Sequence, residues 1–396
     1  MPWRETKVED QRKMFIKFYL DDEASITSLC REFEVSRKTA YKWIERFKEL
    51  GDEGLKDQRR ARINQTQTDE ELVQSILSVK NKRLTWGPKK IRGFLCNQTP
   101  EKEWPSATTI GTILLKNGFQ KTRELRKRLP VRSKPFSACQ ESNDLWSMDF
   151  KGWFRTKEGV KCDPLTLTDA HSRFLLHCSK LPLGTTEYVW DILEKCFYQY
   201  GLPTYLRHDN GPPFAACGAG RLSRLSINII KAGVIPEWID PGKPYQNGRH
   251  ERMHRTLKAE AIIPMALTLK EQQLKFSEFQ NYFNFERPHE SLGQKTPGSI
   301  YTYSPREWDG QLKSPEYDTS WQIIRVRGSG QIGWRGDEIF ISKALENEHI
   351  GLRENQEGEW EAYYGPVYLG VIDQEGKLKY AQRETRSNRM YKERVY

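Results

Sequence analysis

Three acidic side chains sit where a carboxylate is costly unless something holds it. Asp149 follows Leu145-Trp146-Ser147-Met148, a mostly apolar run of strand character. Asp209 closes a second short run, Leu206-Arg207-His208, just before Asn210-Gly211 begins a turn. Glu251 stands where a stretch rich in proline and glycine, residues 241–248, runs into a helix. Burying a lone carboxylate is expensive unless it is paired or binds a cation. If two strands and one helix bring these acids together, the result is a hard-oxygen site suited to Mg²⁺, with Mn²⁺ able to substitute. Any one acid alone would read as a turn residue or a surface acid. The trio with its flanks carries the information.

Along the helix entered at Glu251, steps of three, four and seven residues reach His254, Arg255 and Lys258. Side chains so spaced share a helix face. A carboxylate beside cationic groups suits a metal flanked by DNA phosphates, so Arg255 and Lys258 are expected to contact DNA; His254 is left without an assigned role. Other polar residues have plainer explanations. Asp169 and His171 lie in a turn and shape a hairpin. His208 adjoins Asp209, but strand alternation sends it to the opposite face. Asp240, before Pro241, starts a turn.

The ordered set of motifs resembles the Asp-Asp-Glu signature of the retroviral-integrase-like transposases, bacterial insertion-sequence transposases in particular. The residues that carry it are Trp146 to Asp149, His208-Asp209-Asn210-Gly211, Gln246-Asn247-Gly248-Arg249-His250-Glu251-Arg252 and His254-Arg255-Thr256-Leu257-Lys258. Tyr282-Phe283-Asn284, Arg287-Pro288-His289, Leu292 and Thr296-Pro297 extend it. The resemblance covers about residues 143–305. It implies an RNase H-like fold, a mixed sheet with helices on both faces and the acids at one sheet end. It also implies cutting at the ends of a mobile element and joining those ends to target DNA by two-metal phosphoryl transfer, with no Ser or Tyr nucleophile. In that scheme Asp149 bridges both ions, Asp209 holds one and Glu251 the other. Lys258 matches a basic residue that many of these transposases carry two turns after the glutamate. The 41 residues between Asp209 and Glu251 exceed the family's common spacing, and the excess is expected within 215–233. A DNA-binding regulator or inactive domesticated relative is the alternative, and a nuclease without joining activity a further one.

Such a site needs elements that bring DNA to it. Residues 1–140 carry 30 Lys and Arg against 19 Asp and Glu, whereas the rest of the chain carries 34 of each. A basic front on a neutral body points to a nucleic-acid-gripping arm. Residues 1–60 read as a helix-turn-helix: Leu29, Phe33, Ala40, Ile44 and Phe47 mark apolar helix faces, and Ser36 is a natural N-cap. Its second helix presents Arg37, Lys38, Thr39 and Lys42 to a major groove. Glu34 occupies the turn, where glycine would be easiest. Residues 66–120 read as a second helical DNA-binding module. A basic linker follows at 121–141, with seven Lys and Arg from Lys121 to Lys134 against Glu124 alone. The arm, residues 1–135, is expected to be separable from a catalytic core that stays folded without it.

The texture turns to mixed α/β over 142–305, then to short strands over 317–376 that suggest a small β-barrel, with a basic tail at 377–396. The fold class is therefore multidomain: all-α modules, an α/β RNase H-like core and a β-barrel. No run approaches the ~18 uninterrupted apolar residues of a membrane span, and MPWRETKVED is not a signal peptide. Seven scattered cysteines with no C-x-x-C pair argue against a disulfide scaffold or a spaced-cysteine zinc site. The expected setting is the bacterial cytoplasm, on nucleoid DNA. The expected partners are element ends, target duplex and further copies of the chain in the DNA complex.

Overall fold

The computed structural model describes residues 8–22, 24–57, 68–119, 139–181, 185–216, 218–239, 247–373 and 377–380. They form two compact units, Met1–Thr68 and Asp69–Tyr396. The seven basic residues of the linker and nearly all of the tail lie outside the described residues, as does Asp240.

In the first unit α1 (Val8–Leu20), α2 (Ile26–Glu32) and α3 (Arg37–Leu50) enclose Phe15, Ile16, Leu29, Cys30, Ala40, Ile44 and Leu55. Each of the two shorter connections ends in a capping serine. Ser25 Oγ accepts from Ser28 N–H at 3.3 Å, and Ser36 Oγ from Thr39 N–H at 3.2 Å. These bonds satisfy amides that have no partner inside the helix. Glu34 adopts φ +52° in the turn, the left-handed conformation in which a glycine would be unstrained.

The second unit opens with α4 (Glu70–Lys82), α5 (Pro88–Gln98) and α6 (Ala107–Lys116). The sheet that follows comprises β1 (Leu145–Phe150), β2 (Phe154–Arg155), β3 (Lys161–Asp169), β4 (Leu175–Leu181), β5 (Tyr205–His208) and β6 (Ile235–Trp238). Its main order is β4-β3-β1-β5-β6, with β2 beside β3. β3 runs antiparallel to β1 and β4, while β1, β5 and β6 run parallel. Helices α7 (Thr186–Tyr200) and α8 (Arg224–Lys231) pack with Trp146, Met148, Leu165, Leu167 and Leu206 on one face. Helices α9 (Gly248–Leu257) and α10 (Leu269–Phe285) belong to the cluster on the other. The sheet is thus mixed, with helices on both faces.

That second cluster also contains Ile76, Trp86, Ile91, Leu95, Ile110 and Leu114, all from the α4–α6 region. Trp86 Nε1 donates to the Tyr282 hydroxyl at 2.9 Å, Tyr282 donates to Glu260 at 2.7 Å, and Arg287 pairs with Glu260 at 2.8 Å. The three helices thus complete the core, since their buried apolar side chains share this cluster with α9 and α10. The compact boundary falls at Thr68, whereas the arm expected from the sequence reaches residue 135.

The C-terminal strands are β7 (Gln322–Arg325), β8 (Gln331–Trp334), β9 (Asp337–Phe340), β10 (His349–Glu354), β11 (Trp360–Tyr364), β12 (Val367–Ile372) and β13 (Leu378–Tyr380). The expected β-barrel is not what they build. They pair as an open five-stranded sheet, β13-β12-β11-β10-β7, and a separate β8-β9 hairpin. A barrel needs its two edge strands to pair, and among the described residues β7 and β13 do not. The sheet's apolar face is covered partly by the core itself, through Ala219, Leu222, Ile227 and Ile230. These residues lie in the long interval between Asp209 and Glu251.

Candidate active site

Strand alternation decides what faces α9. Trp146 and Met148 enter the cluster with α7, so Ser147 and Asp149 project to the opposite face. On β3, Leu165 and Leu167 flank Thr166 in the same way. The parallel β1–β5 register pairs Ser147 with Arg207. Two residues further along both chains stand Asp149 and Asp209, at the same end of adjacent strands.

Burial first, then the negative charges of Asp209 and Glu251, push the Asp149 carboxyl up to about 7. The Phe150 N–H and Lys151 oppose that rise. Asp209 is raised chiefly by burial, with an opposing bond from Gly211 N–H to its Oδ1 at 3.1 Å. Glu251 is exposed in the first turn of α9. The Asn247 side-chain amide donates to Asp149 Oδ2 at 3.3 Å while its oxygen accepts from Ser147 at 2.9 Å.

The inner side of α9 carries His250, Met253, His254 and Leu257, all buried. Thr166 Oγ1 lies 2.7 Å from Nε2 of both His250 and His254, and Thr168 Oγ1 lies 3.0 Å from His250 Nδ1. Burial lowers both imidazoles, to about 3 for His250 and about 2 for His254, so both are neutral. His254 Nδ1 is 3.9 Å from Asp149 Oδ2. The expected helix stripe therefore splits. Glu251, Arg255 and Lys258 are exposed, whereas His254 turns inward. Spacing alone missed this because a step of three residues falls about 60° short of a full helical turn. His250 and Asn247 were visible only as members of a motif. A paired histidine at i and i+4 was the one signal that could have singled out His250 and His254.

The plainer explanations hold their ground. Asp169 is buried and accepts from Asn143 N–H, Ser172 N–H and the Ser172 hydroxyl at 2.9, 2.7 and 2.6 Å. His208 packs against Phe214 and Trp238, on the side away from Asp149. In the first unit Arg37, Lys38 and Lys42 are exposed along α3, and Arg37 donates to Thr27 at 3.0 Å. Thr39 is half-buried and takes part in the Ser36 cap.

Comparison with known proteins finds matches in several parts of the chain. A helix-turn-helix domain matches residues 11–63 and a homeodomain-like domain residues 39–114. The integrase core domain matches residues 232–297, and the C-terminal domain of the IS481 family transposases matches residues 321–378. An uncharacterized protein of insertion element IS476 from Xanthomonas euvesicatoria is 28% identical over 184 residues, 46% of this chain and 50% of that protein. The chain thus spans about half the length of this curated relative. Among solved structures, the magnesium complex of the HTLV-2 integrase catalytic core is similar at TM-score 0.33 and 16% identity, over 41% of this chain and 99% of that one. A chain of the simian T-cell lymphotropic virus intasome with PP2A regulatory subunit B56 gamma gives 0.36 and 13%, over 68% and 92%.

Helix-turn-helix domains joined to an integrase core define the class of protein. Within that class, the chain is similar to the insertion-sequence transposases of the integrase superfamily.

Proposed function

We propose that the chain cuts the ends of its mobile element and joins them to target DNA, with Asp149, Asp209 and Glu251 holding two Mg²⁺ ions. The observation that supports this reading is Asp149. It is a half-buried carboxyl, in line with Asp209 at the end of the next strand and under the charge of Glu251, and its affinity for a proton is raised accordingly. A carboxylate cluster that resists full ionisation is one that a divalent cation stabilises. The three carboxylates supply oxygen donors, which fit Mg²⁺. Bound there, two such ions supply activation of a water or DNA 3′-hydroxyl and stabilisation of the leaving oxygen.

The remaining work falls to the chain. Asn247 fixes the rotamer of Asp149 through its bond to Oδ2. Arg255 and Lys258, exposed on α9, contact the phosphates beside the cleaved bond. Arg37, Lys38, Thr39 and Lys42 on α3 read the element end in a major groove. Joining two ends to one target requires two active sites, so the working form is an oligomer of this chain. It acts in the bacterial cytoplasm.

The test is an in vitro cleavage and strand-transfer assay on candidate element ends with Mg²⁺. Wild type should cut and join, and Asp149→Asn should do neither while still binding the ends. Full strand transfer by Asp149→Asn would end the metal reading.

A further inference from the structure

We propose that His254 Nδ1 is a nitrogen ligand of the cation held at Asp149. The inference rests on the metal reading above and adds a donor to it.

It follows from counting protons. Thr166 Oγ1 has three polar neighbours: the Asp149 carbonyl at 3.0 Å, and Nε2 of His250 and of His254, each at 2.7 Å. A hydroxyl carries one proton and two lone pairs. The carbonyl can only accept, so the hydroxyl proton goes to it. Both imidazoles must then donate, which puts the proton of each ring on Nε2. His250 is complete in this arrangement, because its bare Nδ1 accepts from Thr168 at 3.0 Å. His254 is not complete. Its Nδ1 keeps a lone pair that no hydrogen bond among the described residues engages. The side chain is 9% exposed, and the Asp149 Oδ2 that Nδ1 faces at 3.9 Å is itself an acceptor when ionised.

Two acceptors face to face inside a protein repel unless a proton or a cation lies between them. Asp149, His250 and His254 offer ligand atoms within 4.8 Å of one another, as a three-residue metal cluster would. The proton count removes His250, whose two nitrogens are both occupied, and leaves Asp149 and His254. The Thr166 bond then serves as the outer contact that fixes the tautomer of a ligating histidine. An imidazole donor suits Mn²⁺ better than Mg²⁺, so His254 tilts the site toward Mn²⁺.

The test uses the full chain and Mn²⁺ alone, read by pulsed electron paramagnetic resonance for ¹⁴N coupling and by binding titration. His254→Gln keeps an amide N–H within reach of Thr166 and removes the Nδ1 donor; His254→Asn is the second variant, and circular dichroism reports on folding of both. The expected result is ¹⁴N coupling in wild type that vanishes in both variants, with Mn²⁺ affinity falling about tenfold. Mg²⁺ affinity should fall less. Coupling that persists in a folded variant, or Mn²⁺ bound at Asp149 in wild type without coupling, overturns the proposal. Asp149→Asn separates the two levels of argument. If it binds Mn²⁺ as wild type does, the metal reading itself has failed, not only the assignment of His254.

Discussion

Asp149 is a strained choice for a metal-free protein, and that strain is measurable. Its carboxyl titrates near 7 in the fold, against an ordinary value of 3.8. The folded state therefore holds its proton more tightly than the unfolded chain does. Stability is highest below the ordinary value and is lost as pH rises toward 7. In EDTA at pH 8, Asp149→Asn should unfold later than wild type by on the order of 2 kcal/mol, and the gain should disappear near pH 4. Urea titrations at the two pH values check this. A loss of stability at pH 8 would mean that the ionised carboxylate already has a partner. Lys258 makes a different prediction. Lys258→Ala should weaken DNA binding and reduce the slope of log affinity against log salt by about one. An unchanged slope would remove Lys258 from the phosphate contacts. At this scale the sequence was legible where chemistry and flanking residues coincide, as at Asp149 and Asp209. It was mute about which side of α9 meets the sheet, since Thr166 and His254 are 88 residues apart and meet only after folding.

The helices and strands were legible in proportion to their apolar patterning. α3 appears where its apolar spacing and the Ser36 cap put it, and Ser106 caps α6 in the same manner. β10 is hard to read from its own residues because Gly351 interrupts it and Arg353 and Glu354 end it, although it lies between β7 and β11. Its strand character comes from neighbours on both sides, which is information outside its own residues. β6 was hidden by Pro236 in the same way. Two element-level contacts can be tested. Gly220 has φ +62°, and a Cβ there would lie 2.9 Å from both Leu369 Cδ2 and Val367 Cγ1. Gly220→Val should destabilise the protein by about 2–4 kcal/mol through strain and overpacking, read as a lower urea midpoint. A neutral result would show that β12 can move away. Arg287 is buried, and its removal leaves Glu260 with Tyr282 and Thr85 but without its ion pair. Arg287→Met should cost about 3–5 kcal/mol and loosen α4–α6 from α10. Hydrogen exchange in α5 would register that loosening.

For the molecule as a whole, the charge asymmetry points to a gripping front but does not say where the front ends. Basic surface and apolar packing are different properties, and α4–α6 has both. Removing residues 1–68 should leave a folded, cooperative protein with weakened selectivity for element ends. Removing residues 1–135 should instead expose Tyr282, Phe276 and Met253 and yield an aggregating or unfolded product. Circular dichroism and sedimentation of the two truncations decide the point; equal behaviour of both would contradict the shared core. The same logic applies at the other end of the chain. The stretch between Asp209 and Glu251 is long because Ala219, Leu222, Ile227 and Ile230 serve as the seat of the C-terminal sheet. Lys231 and Glu348 fasten that seat with a half-buried ion pair at 2.9 Å. The two regions are consequently not interchangeable parts. A hybrid that borrows the C-terminal sheet of a relative must borrow the matching stretch of the core with it, so heredity would transmit them as one cassette, even though some ninety residues of chain lie between.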